Sequence, residues 1–218
     1  MVSIVMLTHN AKDYVKRSIV TISKTVYGGE YELIVVDNDS EWKTRKALTK
    51  LYNDKLINKL VFLDKNTLFA KGNNTGVKLC DKKAELVLLI NSDIEIKDPS
   101  WLNKMVKAYK KGIISLGFVE GCPYSRADGY CFMIDRSLYD KYQLDEEFEW
   151  FWSITRIQAK VLRDGFVVQA VKDHENLLHH FGGASGGDFK GAKGMDVEME
   201  KVIKWFGKKE VKQIERLN

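Results

Sequence analysis

The run Leu86-Val87-Leu88-Leu89-Ile90 is apolar at every position, breaks at Asn91-Ser92-Asp93, and resumes as alternation through Ile94, Glu95 and Ile96. A strand apolar on both faces belongs in a sheet covered on two sides, the environment of a parallel strand in an α/β protein. Val2 to Leu7 and Leu33 to Val36 have similar form and end at Thr8-His9-Asn10 and at Asp37-Asn38-Asp39-Ser40. Leu60 to Leu63 is a further, shorter strand. Stretches of helical period lie between them. Asp13 to Lys24 sets Tyr14, Val15, Ile19 and Ile22 near one face and is stopped by Gly28-Gly29, and Ser40 stands where it can cap a helix through Leu51. Lys65 to Gly76 is a polar, Gly- and Asn-rich loop running into a short helix. Strand alternating with helix predicts a mostly parallel sheet with right-handed crossovers.

The second half is less regular. Pro99 marks a helix start, followed by Trp101, Leu102, Met105, Val106 and Tyr109 at helical spacing. Ile113 to Val119, Tyr130 to Ile134 and Phe166 to Val171 have strand character, and Leu144 to Arg163 has helical character up to Gly165. Leu177 to Phe181 leads into Gly182-Gly183-Ala184-Ser185-Gly186-Gly187, the composition of a mobile loop. Met195 to Leu217 predicts one terminal amphipathic helix, with Val202, Ile203, Phe206, Ile214 and Leu217 on one side and Lys201, Lys204, Lys208, Lys209, Lys212 and Arg216 around the rest. Such a helix packs on its own domain or on a second subunit, as in a homodimer, more often than on an anionic membrane.

The length of 218 residues bounds this to one large domain, taken as 1–194, with the segment 195–218 as its appendage. A net charge of +5 suits an anionic substrate or a membrane surface without selecting either, and no recognised nucleic-acid motif accompanies it. Cys80, Cys122 and Cys131 are odd in number and form no CxxC pair, which argues against zinc and for a reducing compartment. With no charged leader and no apolar run of membrane-span length, the expected location is cytoplasmic, with contact to a membrane peripheral.

The polar residues at the strand ends carry the chemistry. An acid at the carboxyl end of a central strand is well placed to hold a divalent metal against a phosphate, although Asp93 alone is equally a turn or cap residue. Taken together, Thr8-His9-Asn10, Asp37-Asn38-Asp39-Ser40, Asn91-Ser92-Asp93 and the set Asn66, Phe69, Gly72, Asn73, Asn74 and Gly76 resemble a family 2-like glycosyltransferase of the GT-A fold, from Ser3 to about Ser185. The resemblance implies an α/β fold with a mostly parallel central sheet flanked by helices. It implies transfer of a hexose or deoxyhexose from a UDP-, dTDP- or GDP-linked donor to a hydroxyl of a saccharide, lipid-linked or protein acceptor, with inversion. It places Thr8, Asn10, Asp37, Asn66, Asn73, Asn74, Asn91 and Ser92 at the nucleotide sugar, and Asp37 at the base or ribose. Where the family commonly has a second Gly beside Asn66, this chain has Leu68. Asp93 falls on the family's metal-binding acid, and His179-His180-Phe181-Gly182-Gly183-Ala184-Ser185 resembles its late His motif, with His180 favoured over His179. The pair implies Mn2+ or Mg2+, and imidazole suits Mn2+ better. His9 and His174 are read as ordinary satisfied residues.

The pattern breaks at the catalytic base. Inverting transfer needs a carboxylate to take the acceptor's proton. The resemblance puts that acid in a pair that aligns with Ser153-Ile154, and a later Asp with Arg156. If the segment is helical, Glu149 lies one turn from Ser153 and Glu147 two turns from Ile154, so either could serve. The base could also come from elsewhere, or the chain could be a nucleotide-sugar-binding module that transfers nothing. Trp150 and Trp152 beside the gap are candidate acceptor platforms, with Phe151 assigned to the core. A nucleotidyltransferase is disfavoured because no Gly-rich Arg/Lys loop follows the first strand, and a dehydrogenase because no GxGxxG does.

Overall fold

The computed structural model describes residues 1–121, 123–183 and 191–218. Cys122 and residues 184–190, which include Ser185 and most of the expected mobile loop, lie outside the described residues. In chain order the first half is β1 (Val2–Thr8), α1 (Lys12–Ile22), β2 (Tyr31–Asp37), α2 (Trp42–Asn53), β3 (Lys59–Phe62), α3 (Leu68–Val77), β4 (Leu86–Asn91) and β5 (Ile94–Ile96). There follow α4 (Trp101–Ala108), β6 (Gly112–Leu116), β7 (Phe118–Val119), β8 (Arg126–Ala127), β9 (Cys131–Asp135), α5 (Arg136–Tyr142) and α6 (Trp152–Arg163). The chain ends with β10 (Val167–Asp173), β11 (Leu178–His180), α7 (Met199–Phe206) and β12 (Lys212–Arg216).

The central sheet has the order β12-β10-β6-β9-β4-β1-β2-β3. Every neighbour pair is parallel except those made by β9, which runs antiparallel between β4 and β6. The unbroken apolar runs follow from burial on both faces. On β1, Ile4 and Met6 enter one core and Val5 the other; on β4, Leu88 and Ile90 enter the first and Val87 and Leu89 the second. The first core is closed by Val15, Ile19, Leu48, Trp101 and Met105 from α1, α2 and α4, and the second by residues of α3, α5, α6 and α7, among them Ala70, Tyr139, Ile157, Val161 and Phe206.

Two glycines let α3 lie directly on β1. A Cβ on Gly72 would stand 2.5 Å from Leu7 Cδ1, and one on Gly76 would stand 2.4 Å from Val5 Cγ1. This close approach draws α3, with Asn73 and the preceding Asn66, toward the carboxyl end of β1.

The terminal segment departs from the single helix expected over Met195 to Leu217. Helix α7 spans eight residues, with Val202 and Phe206 buried, and Gly207 ends it at φ +63. The chain then adds β12 to the open edge of β10 in parallel register. Backbone pairing at that edge outweighs the helical period of the side chains, and the exposed, charged residues Lys212, Glu215 and Arg216 of β12 suit an edge strand. Among the described residues there is therefore no long basic helix to offer a face to a membrane or a second subunit, and residues 212–216 belong to the main sheet. Among the described residues, no helix is long and apolar enough to cross a membrane.

The expected helix from Leu144 starts only at Trp152. The Asp145 carboxylate accepts from the Glu147 amide at 3.1 Å, and its carbonyl from the Phe148 amide at 3.0 Å, which turns the chain before α6 begins. Glu147 and Glu149 therefore have no helical register with Ser153 and Ile154.

Because Val5 is fully buried in the sheet centre, Gly76→Ala should destabilise the fold by about 1–3 kcal/mol through overpacking. Thr75→Ala on the exposed side of α3 should cost well under that, and urea unfolding of the two variants checks the contrast.

Candidate active site

The carboxyl ends of β1 and β4 and the start of α3 surround a cavity of ≈ 190 Å³. Its lining includes Thr8, His9, Asn38, Asn66, Asn73, Asn91, Ser92, Asp93, Trp150 and His180. Position at the ends of parallel strands is the expected place for a ligand in such a sheet.

Asp93 follows β4 in a turn that α1 holds. The buried Ser18 Oγ lies 2.8 Å from the Ser92 carbonyl and 2.6 Å from the Ile94 carbonyl, and accepts from the Ile94 amide at 3.1 Å. A second device brings in the histidine. Strands β5 and β11 pair antiparallel, with Ile94 opposite His180 and Glu95 opposite His179, and the Phe181 amide donates to the Asp93 carbonyl at 2.9 Å. His180 Nε2 thus sits 3.3 Å from Asp93 Oδ1 and 3.4 Å from Asn91 Nδ2, with the Tyr130 ring stacked on it at 4.2 Å. Asp93 is 7% exposed. His179 faces Phe181 edge-on and lines no described cavity.

The opposite wall is a web of amides. Asn38 Nδ2 donates to Asn66 Oδ1 at 2.7 Å, and Asn38 Oδ1 accepts from the Thr67 amide and hydroxyl at 2.8 and 3.0 Å. Asn66 Oδ1 also accepts from the Leu68 amide at 2.9 Å, and Asn73 Nδ2 donates to the Phe69 carbonyl at 2.9 Å. Leu68 has φ +59. That left-handed conformation costs an L-residue roughly 1–2 kcal/mol and costs glycine nothing comparable, so it accounts for the family's glycine at this position. His9 Nδ1 donates to the Asn38 carbonyl at 2.8 Å and Nε2 accepts from Asn10 Nδ2 at 3.1 Å. His9 therefore lines the cavity with both ring nitrogens satisfied, in keeping with its reading as an ordinary satisfied residue.

Several expected site residues stand behind the wall. Asp37 is fully buried, pairs with Arg45 Nε at 3.0 Å and accepts from the Ser40 amide at 3.1 Å. Thr8 and Asp37 are register partners across β1 and β2, and Thr8 Oγ1 and Asp37 Oδ1 are buried with no hydrogen-bond partner among the described residues. Asn10, at φ +56, donates its amide to Ser40 Oγ and accepts from the Glu41 amide, so Ser40 braces this loop and makes no side-chain cap on α2. Asn74 is spent on structure: it donates to the Leu144 carbonyl and Glu146 and accepts from the Tyr139 hydroxyl and the Leu144 amide.

A second cavity, ≈ 300 Å³, adjoins the first and is lined in part by Arg126, Asp128, Tyr130, Trp150, Phe151, Ile154 and Thr155. Neither base candidate lines either cavity. The Glu147 side chain is 80% exposed beside Arg156, and Glu149 Oε2 accepts from the Lys193 amide at 2.7 Å. The aromatic assignments also change. Trp150 lines both cavities, but Trp152 is 6% exposed and donates to the Met195 carbonyl, whereas Phe151, expected in the core, is 47% exposed at the second cavity. Arg126 stacks over Trp152 at 5.5 Å; burial lowers its pKa, and the charge of Asp128 works against that shift. Asp128 has no sequence signal apart from its Gly neighbour, which reads as a turn.

The sequence model of glycosyl transferase family 2 matches residues 3–155. The chain belongs to that family. Solved structures similar to this family member include mannosyltransferase PcManGT from Pyrobaculum calidifontis in complex with GDP-Man and Mn2+. The TM-score is 0.67 at 17% identity, over 79% of this chain and 55% of that one. TarS from S. aureus matches with a TM-score of 0.59 at 18% identity, over 73% of this chain and 33% of that one. TarS 1-349 in complex with UDP matches at 0.58 and 19%, over 73% and 54%. This chain spans a third to about half the length of these proteins. The likeness establishes the GT-A fold.

The strain at residue 68 yields a direct test. Leu68→Gly should be more stable than Leu68→Ala by about 1 kcal/mol, because both lose the same packing and only Gly relaxes at positive φ. Thermal unfolding of the two should reverse the usual order, in which Gly is the less stable.

Proposed function

We propose that this family 2 member transfers a sugar from a nucleoside-diphosphate donor, UDP-, dTDP- or GDP-linked, to an acceptor hydroxyl in one inverting, metal-dependent displacement. The observation that carries this is the convergence of Asp93 and His180 at the end of β4, beside a cavity walled by strand-end amides. PcManGT in complex with GDP-Man and Mn2+ and TarS in complex with UDP support the donor class by likeness of fold.

The donor set fits a divalent cation: Asp93 would supply a carboxylate oxygen and His180 an imidazole nitrogen. Among the described residues no group of three or more His, Cys, Asp or Glu forms such a site, which leaves the other positions to phosphate oxygens and water. Bound there, Mn2+ or Mg2+ supplies the positive charge that offsets the departing diphosphate. The chain's own groups do the rest. Thr8 Oγ1, buried and unpartnered on the cavity lining, is suited to recognise the nucleoside, because an unpaired buried polar atom costs about 1–3 kcal/mol until a ligand pairs it, with the Asp37–Arg45 pair behind it. Asn38, Asn66 and Asn73 shape the donor wall, and Asn91 and Ser92 flank the diphosphate.

A non-catalytic nucleotide-sugar-binding module is the second reading, favoured by Ser153-Ile154 where the resemblance puts the family's acidic pair. Release of diphosphate separates the two.

Calorimetric titration with UDP, dTDP and GDP in Mn2+ should find one tight ligand, lost in EDTA. Asp93→Asn and His180→Ala should each weaken it by about tenfold or more, ~1.4 kcal/mol. Equal binding in Mn2+ and EDTA would remove the metal from the account.

A further inference from the structure

The two cavities share Phe69, Asn91, Trp150 and His180, so the second opens beside the Asp93–His180 pair. Among its described lining residues Asp128 is the one carboxylate. Its position is fixed by the backbone: the amide donates to the Gly117 carbonyl at 3.0 Å and the carbonyl accepts from Ser115 Oγ at 2.6 Å. Oδ1 accepts from the Gly129 amide at 2.6 Å, which leaves Oδ2 for a ligand. Gly129 packs on Ile154, since a Cβ there would stand 2.9 Å from Ile154 Cγ1. Ile154 belongs to the pair, Ser153-Ile154, on which the family resemblance puts the proton-accepting acid. The segment pressed against the missing acid thus carries an acid of its own.

We infer that the second cavity receives a saccharide acceptor and that Asp128 is its base, an assignment that rests on the glycosyl-transfer reading above. The acceptor O–H gives its proton to Asp128 Oδ2 while its oxygen bonds to the anomeric carbon of the donor. The bond from that carbon to the phosphate oxygen breaks, and its electron pair leaves with the nucleoside diphosphate. Phe69, Trp150 and the half-exposed Phe151 offer apolar faces to the C–H face of a sugar ring, and Arg126 offers donors to its hydroxyls. The acid has moved from the start of α6 to the loop between β8 and β9.

The test uses the full chain and two readouts: calorimetric binding of UDP, dTDP and GDP with Mn2+, and diphosphate release from the matching nucleotide sugars with methyl glycosides as acceptors. Asp128→Asn keeps the shape and the Oδ1 bond to Gly129, so it should bind the diphosphate as wild type does. Its release should fall by about 100-fold or more, the scale of a lost general base. Near-wild-type release from Asp128→Asn, or a comparable loss in Glu149→Gln alone, would overturn the assignment. Wild-type protein that binds a diphosphate yet releases none overturns the base and leaves the binding module. Wild-type protein that binds no diphosphate fails earlier, at the donor site itself.

Discussion

The short ladder between β5 and β11 is the constraint on which the site depends. It sets Ile94 opposite His180, and Asp93 and His180 meet only because their neighbours are paired backbone to backbone. The Ser18 hydroxyl, buried in α1, holds the other side of the same turn through the Ser92 and Ile94 carbonyls. A carboxylate and an imidazole brought together this way are pre-positioned, so binding a cation or a diphosphate need not order them first.

The rest of the fold serves that turn. The parallel strands bury both faces and end their apolar runs at one edge, where polar side chains collect. The glycines at 72 and 76 let α3 press onto β1 and bring the amides of Asn66 and Asn73 to the cavity. Strand β9, antiparallel between β4 and β6, begins at the far side of the same edge. The Tyr130 carbonyl just before it accepts from the Asn91 amide at 2.8 Å, which joins the second cavity to the first.

Much of this was legible in the sequence because burial on two faces leaves an unmistakable apolar run. The β1, β2 and β4 ends, Asp93 and the choice of His180 over His179 came from that pattern and from the family resemblance. Period alone misled where tertiary pairing decides. Residues 212–216 have helical spacing yet complete the sheet edge, and residues 144–151 have it yet are turned by Asp145. Phe151 and Trp152 sit at the start of α6 and not inside a longer helix, where Trp152 turns in to the Met195 carbonyl and Phe151 is left half-exposed at the second cavity. Asp128 was invisible, since an Asp before a Gly announces a turn and nothing in its neighbourhood announces Ile154 beside it. Asn74, a polar residue in a polar stretch, gave no sign that all its hydrogen bonds were internal.

Crystals grown with Mn2+ and the diphosphate that binds, measured at the manganese absorption edge, test the central claim most directly. An anomalous peak in direct contact with both an Asp93 carboxylate oxygen and His180 Nε2, touching the diphosphate, is the predicted result. A bound diphosphate with the peak elsewhere, or with none, would contradict it.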